Sequence, residues 1–163
     1  MKTLLLVRHA KSSWGDQTLP DHERPLNHRG RRDAPRVGAR LRERGVVPDV
    51  IVTSTAVRAR STAEILAKAI DLGSGRIVED DRLYGATPDG LLEIIRALDD
   101  ESTSIMVVGH NPEIGELASR LSDEIAEMPT CAVAEFRFDV ADWAEVGAVA
   151  PVEVLFEAPA HDR

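Results

Sequence analysis

The fold turns on the stretch LLLVRHAKSSW, residues 4–14, in which an apolar run of four residues stops abruptly at Arg8 and His9. A short continuous apolar run is the pattern of a strand buried on both faces. Similar runs recur at residues 50–52 and 105–108, with 40 or more residues between successive runs. Helix-like segments fill the gaps, and strands alternating with helices predict an α/β fold: a three-layer α/β/α sandwich around a mainly parallel central sheet.

The intervening segments carry helix punctuation. Asn27 is placed to cap a helix that runs to about Arg44 and stops at Gly45, with Pro35 where it would kink or restart that helix. Ser54 or Thr55 is placed to cap the next, whose Ala59, Ala63, Leu66 and Ile70 form one apolar stripe at helical spacing. Asp89 begins a third helix through Leu98, and Pro112 a fourth through Leu121. LGSGR at residues 72–76 reads as a turn without the pattern of a phosphate loop. Beyond Pro129, AVAEFRFDV (132–140) and APVEVLFEAP (150–159) alternate as strands expected to close the sheet, with an antiparallel pairing open to them.

Composition bounds the rest. The 163 residues suit one domain, residues 1–163, with 43% hydrophobic and 29% charged side chains. No apolar run approaches the roughly 20 residues of a membrane span, and LLLV is too short for a signal peptide, so the expected location is cytoplasmic. Cys131 is the only cysteine, which excludes an intrachain disulfide and a CxxC metal or redox motif. The formal charge of -8 is unevenly spread, residues 1–60 holding 13 basic and 6 acidic side chains. Overall acidity and 4% aromatics argue against a nucleic-acid partner. For the Arg-rich segment 29–44, a solvated helix face is the plainer reading.

Ligands of open parallel sheets bind beyond the carboxyl ends of the strands. That edge is loaded three times here: Arg8 and His9 end the first strand, Ser54 leads from the second toward Arg58, and IMVV runs into Gly109, His110, Asn111 and Pro112. Each residue alone has an ordinary explanation, an arginine snorkelling from a strand end or a satisfied core histidine. Three such coincidences at one edge point instead to a tetrahedral dianion, because guanidinium forks match phosphate oxygens and helix starts add to the same field.

These motifs resemble those of the histidine phosphatase superfamily, also called phosphoglycerate-mutase-like. The resemblance rests on RHA at 8–10, Ser54-x-x-x-Arg58 followed by Ser61-Thr62-Ala63, and GHNP at 109–112, and it spans most of the chain. RHAKSSW with RPLNHRGRRDA at 24–34 is most similar to the SixA-type phosphohistidine phosphatases. The resemblance implies a metal-independent phosphatase in which His9 is transiently phosphorylated while Arg8, Arg58 and His110 hold the phosphoryl oxygens. It further implies a phosphorylated protein as substrate, a phosphorelay or phosphocarrier protein among the candidates, with inorganic phosphate as product and no cofactor. Chemistry agrees: a nucleophilic histidine must be neutral, and neighbouring guanidiniums disfavour its protonated form. Ala10 and Gly15 depart from the family pattern, while Ser12 and Lys11 remain available to the phosphate.

A proton donor for the leaving group is less clearly written. Asp81, in DRLYGA at 81–86, takes the place of the glutamate that serves related mutases; its alternative is a surface acid. Asp21 is the other acid at hand, and Asp21, His22 and Glu23 either border the pocket or pair with Arg24 or Arg29. A leaving imidazole is far less demanding of an acid than an alkoxide, so Asp81, Asp21 and no acid at all stay open.

Rival chemistries fare worse. Cys131 and Arg137 match the spacing C-x5-R of cysteine-dependent phosphatases, but the intervening AVAEF alternates as a strand, which would hold the two about 20 Å apart. A metal on His9 and His110 would be opposed by Arg8 and Arg58, so no metal ligands are assigned. The remaining alternatives are a phosphomonoesterase or mutase acting on a small ester, and a non-catalytic phosphate-binding module.

Overall fold

The computed structural model describes residues 1–159. Six strands, β1 (Lys2–Arg8), β2 (Val50–Thr53), β3 (Ile77–Glu79), β4 (Ser104–Gly109), β5 (Val133–Phe138) and β6 (Glu153–Glu157), form one sheet in the order β3-β2-β4-β1-β5-β6. The first four run parallel; β5 is antiparallel to β1, and β6 to β5. Four α-helices, α1 (His28–Glu43), α2 (Val57–Ala69), α3 (Pro88–Arg96) and α4 (Glu113–Leu121), cover the two faces.

Alternation along the central strands divides the core. Leu5, Val7, Met106 and Val108 pack with Val37 and Leu41 of α1 and Ala63 and Leu66 of α2. Leu4, Leu6, Ile105 and Val107 pack on the other face with Leu91 and Ile95 of α3 and Ile114 and Leu117 of α4. Both faces of β1 and β4 are therefore dry, which is why these strands read as unbroken apolar runs. The expected three-layer sandwich is the observed architecture.

Several local expectations need adjusting. The strand β3 escaped the sequence reading because it is three residues long and partly exposed. The helix α1 runs through Pro35 without interruption; that residue is exposed, so the Arg31 carbonyl that loses its N–H partner lies on the solvent side. Asn27 does cap α1, accepting from the Gly30 amide at 2.8 Å, and Gly45 follows in the left-handed conformation at φ 73°. Neither Ser54 nor Thr55 caps α2: Ala56 holds that position without a side-chain cap, and the Ser54 hydroxyl meets His110 just past β4. Thr87 caps α3, which starts at Pro88 rather than Asp89. Pro112 is the residue before α4, not its first.

Strand register positions the functional edge. Arg8 lies opposite Gly109, and Thr53 opposite Val108, so the ends of β1, β4 and β2 come level. The His9 amide then donates to the Gly109 carbonyl at 3.0 Å and the Ser54 amide to the Val108 carbonyl at 3.0 Å, extending the ladder one residue past each end.

Candidate active site

A cavity of about 210 Å³ opens at this edge, lined by Arg8, His9, Lys11, Ser12, Trp14, Arg24, Arg58, His110, Asn111 and Thr130. Arg8, His9, Ser12, Arg58 and His110, placed there by sequence, all meet in it. The histidine rings lie 5.1 Å apart, centroid to centroid. A larger hollow of about 430 Å³ along α4 shares only Asn111 with the cavity and sets Glu116 and Glu127 against a single cation, Arg120, which pairs with Asp89 at 2.6 Å.

His9 is buried, and its Nδ1 stands 2.7 Å from the Ala10 carbonyl oxygen. A carbonyl only accepts, so Nδ1 carries the proton and Nε2 keeps its lone pair. The pKa of His9 is lowered to about 3, chiefly by burial, with His110, Arg58 and Arg8 adding repulsion and the Ala10 bond opposing. The guanidiniums alone were expected to neutralise this ring; desolvation is the larger cause. His110 is likewise lowered to about 4 by burial and then by Arg58. Both imidazoles are neutral at pH 7.

The cations are held by backbone and carboxylate partners. Arg8 donates through Nη1 to the Met128 carbonyl at 3.1 Å, a carbonyl that also accepts from Asn111 Nδ2 at 3.0 Å. Arg58 donates to the Asp21 carbonyl at 2.7 Å and to Asp21 Oδ2 at 3.0 Å. Arg8 Nε, Arg58 Nε and His110 Nδ1 are buried without a hydrogen-bond partner among the described residues. Three polar nitrogens left unsatisfied on residues around one cavity mark a place built for an anion.

Two residues enter the site more prominently than the sequence reading gave them. Arg24, read there only as an ion-pair partner of the 21–23 segment, is buried; it donates through Nη1 to Ser12 Oγ at 3.0 Å and lies under the Trp14 ring at 3.4 Å. It also pairs with Asp21 at 3.1 Å, as that reading allowed. Asp21 does more than pair: its carboxylate accepts from Arg24, Arg58 and, at 2.5 Å, the Tyr84 hydroxyl, and these donors hold its pKa well below the usual carboxylate range. Tyr84 belongs to the DRLYGA segment singled out for Asp81, but Asp81 itself is exposed in the 3-10 turn Asp81–Leu83 and does not line the cavity.

Departures from the family pattern are absorbed locally. The Ala10 methyl is buried among Ala59 and Ala63, and its amide donates to Thr62 Oγ1 at 2.9 Å. Gly15 is exposed and lies outside the cavity lining. Gly30 seats α1 against the loop after β1: a Cβ there would stand 2.2 Å from the Lys11 carbonyl oxygen. Cys131 and Arg137 form no cradle. Cys131 precedes β5 in a left-handed turn, its thiol pushed up to about 12 by burial, while Arg137 is exposed and pairs with Glu135 and Glu153.

With this geometry in place, the comparisons decide the family. The model of the histidine phosphatase superfamily (branch 1) matches residues 4–84. An uncharacterized protein of Mycobacterium tuberculosis, Rv1276c, is 36% identical over 94% of this chain and 99% of its own. The chain belongs to the histidine phosphatase superfamily. Among solved structures, a proposed phosphohistidine phosphatase SixA from Agrobacterium tumefaciens superposes with a TM-score of 0.81 at 28% identity, covering 98% of this chain and 99% of that one. Another, from Nakamurella multipartitia, gives 0.83 at 29% identity, covering 98% and 97%. Membership of this histidine phosphatase superfamily, with those neighbours, supports phosphatase activity. No helix among the described residues is long and apolar enough to cross a membrane.

Proposed function

We propose that the protein removes phosphate from phosphohistidine on a protein substrate, through a covalent phospho-His9 intermediate. The observation that carries the proposal is a neutral imidazole in a cationic cavity whose described lining contains no carboxyl group. Asp21, which pairs with Arg58 and Arg24 of the lining, is held ionised by Tyr84, Arg58 and Arg24 and is a poor proton donor. An alkoxide leaving from a phosphate ester needs a proton in flight, whereas imidazole, with a conjugate acid near pKa 6.5, leaves readily.

In the first step, with the far nitrogen of the substrate ring protonated, His9 Nε2 attacks phosphorus, the P–N bond to that ring breaks, and the ring departs with the bonding pair as neutral imidazole. Arg8, Arg58 and His110 hold the phosphoryl oxygens as charge redistributes. Phosphorylation leaves the His9 ring more positive, and the Ala10 carbonyl at Nδ1 stabilises that charge. Water then attacks phosphorus from the vacated side, the P–Nε2 bond breaks, and inorganic phosphate leaves with His9 restored.

A protein substrate fits the mouth of the cavity. Trp14 is 69% exposed at the rim, its inner face covered by Arg24 and its outer face free, the disposition of an aromatic anchor for a partner surface. The test compares one preparation on a protein carrying phosphohistidine and on a panel of phosphate esters. A preference for the phosphoprotein, weakened by Trp14→Ala through KM while phosphoramidate hydrolysis is unchanged, is expected. Strong preference for a small ester would overturn the substrate assignment. Phosphate binding without turnover of any substrate would make the protein a binding module.

A further inference from the structure

The mechanism uses one face of His110; what lies behind the other decides what that face can do. His110 Nε2 is 2.8 Å from Ser54 Oγ, and Ser54 is fully buried and absent from the cavity lining. The ring therefore turns Nε2 toward the core and leaves Nδ1, which has no partner among the described residues, as the nitrogen for a ligand. The Ser54 hydroxyl has one hydrogen. Its oxygen already accepts from the Ala56 amide at 3.2 Å, a contact that fixes the side chain at the start of α2. The hydrogen is then directed to the ring, whose Nε2 is the acceptor within reach.

We infer that Ser54 is a positioning residue that donates to His110 Nε2 and so fixes the ring as the Nδ1–H tautomer, a hydrogen-bond donor toward the phosphoryl group. The opposite tautomer would turn a lone pair on phosphate oxygens. A protonated His110 would donate without help from Ser54, but burial keeps the ring neutral at working pH. The tautomer, and not ionisation, thus determines whether this histidine attracts or repels its ligand. The loop from β2 into α2 acquires a double purpose, since Ser54 orients His110 and, four residues on, Arg58 supplies a guanidinium to the same cavity. By sequence Ser54 is a helix-cap candidate and the first residue of the motif leading to Arg58, with no link to His110.

This inference deepens the phosphatase reading, and its two arms separate the failure of one from that of the other. The first arm needs no turnover: nitrogen NMR of the wild-type protein with inorganic phosphate, His110 being assigned by comparison with His110→Ala. A protonated Nδ1 and a bare Nε2 are expected, and a protonated Nε2 would overturn the inference whatever the substrate. The second arm measures phosphoramidate hydrolysis. Ser54→Ala should lower kcat by about 10- to 100-fold, the size of loss seen when the outer partner of a metal-ligating histidine is removed, with an unchanged urea midpoint certifying the fold. Ser54→Thr, which keeps the hydroxyl, should recover most of the loss. On a His110→Ala background the same Ser54→Ala change should cost less than about twofold, because the group it acts through is gone. An equal cost on both backgrounds, or no cost in the wild type, would contradict the role.

Discussion

At position 131 the chain presents a cysteine whose spacing to Arg137 imitates another phosphatase class, and its surroundings explain why the imitation is empty. Cys131 is buried at φ 62°, and its amide donates to the carbonyls of Arg8 at 3.0 Å and His9 at 3.1 Å. The backbone, not the sulfur, braces the catalytic strand end. Burial holds the thiol far from its nucleophilic form. Cys131→Ala should therefore retain kcat within about twofold, a ratio small beside the 10²-fold or larger loss expected of a nucleophile; loss of turnover on that scale would restore the cysteine mechanism. The residues of the site were legible to different depths. Arg8, His9, Arg58 and His110 sit beside strand ends, where local pattern reveals them. Asp21 and Tyr84, 63 positions apart, meet through a single hydrogen bond that no local pattern encodes.

Among the elements, α1 illustrates how packing constrains chemistry. Its Gly30 lies against the Lys11 backbone, in the loop that also supplies Ser12 and Trp14 to the cavity. Gly30→Ala must push the helix or the loop aside, with a stability cost of about 1–3 kcal/mol typical of overpacking. A lower urea midpoint together with a raised KM is expected; a midpoint and KM both equal to wild type would show that the loop tolerates the shift. The Arg-rich stretch of the same helix has a structural share in the fold. Arg44 pairs with the buried Glu135 at 3.3 Å and Arg40 with Glu157 at 3.8 Å, tying α1 to β5 and β6. The strands β1, β2 and β4 were readable because both faces are buried, whereas β3 offers too few residues to show a period. Helix starts shifted by a residue because Thr87 caps α3 with Pro88 as its first residue, whereas at α4 Pro112 itself takes the cap position.

For the whole molecule, the neutral buried histidines make stability depend on pH. His9 and His110 take up protons near 6.5 when unfolded but only near 3 and 4 when folded. Between those limits the unfolded chain binds more protons, so stability falls as pH is lowered from about 6.5 toward 4. Asp21, depressed below its usual value of 3.8, adds a further loss at lower pH still. Urea midpoints measured from pH 7 to 4.5 should decline, and the decline should be shallower in His9→Ala and His110→Ala; slopes identical to wild type in both variants would refute the assignment. The same arrangement should keep His9 nucleophilic across that range, because its folded pKa lies below it.

The central claim is that the phosphoryl group passes through His9, and trapping the phosphoenzyme tests it most directly. Protein mixed with phosphoramidate, quenched in base and digested, should carry one phosphoryl group on the peptide containing His9, acid-labile and base-stable, and His9→Ala should show neither the modification nor turnover. A phosphoryl group found on another residue, or turnover that survives in His9→Ala, would contradict the account.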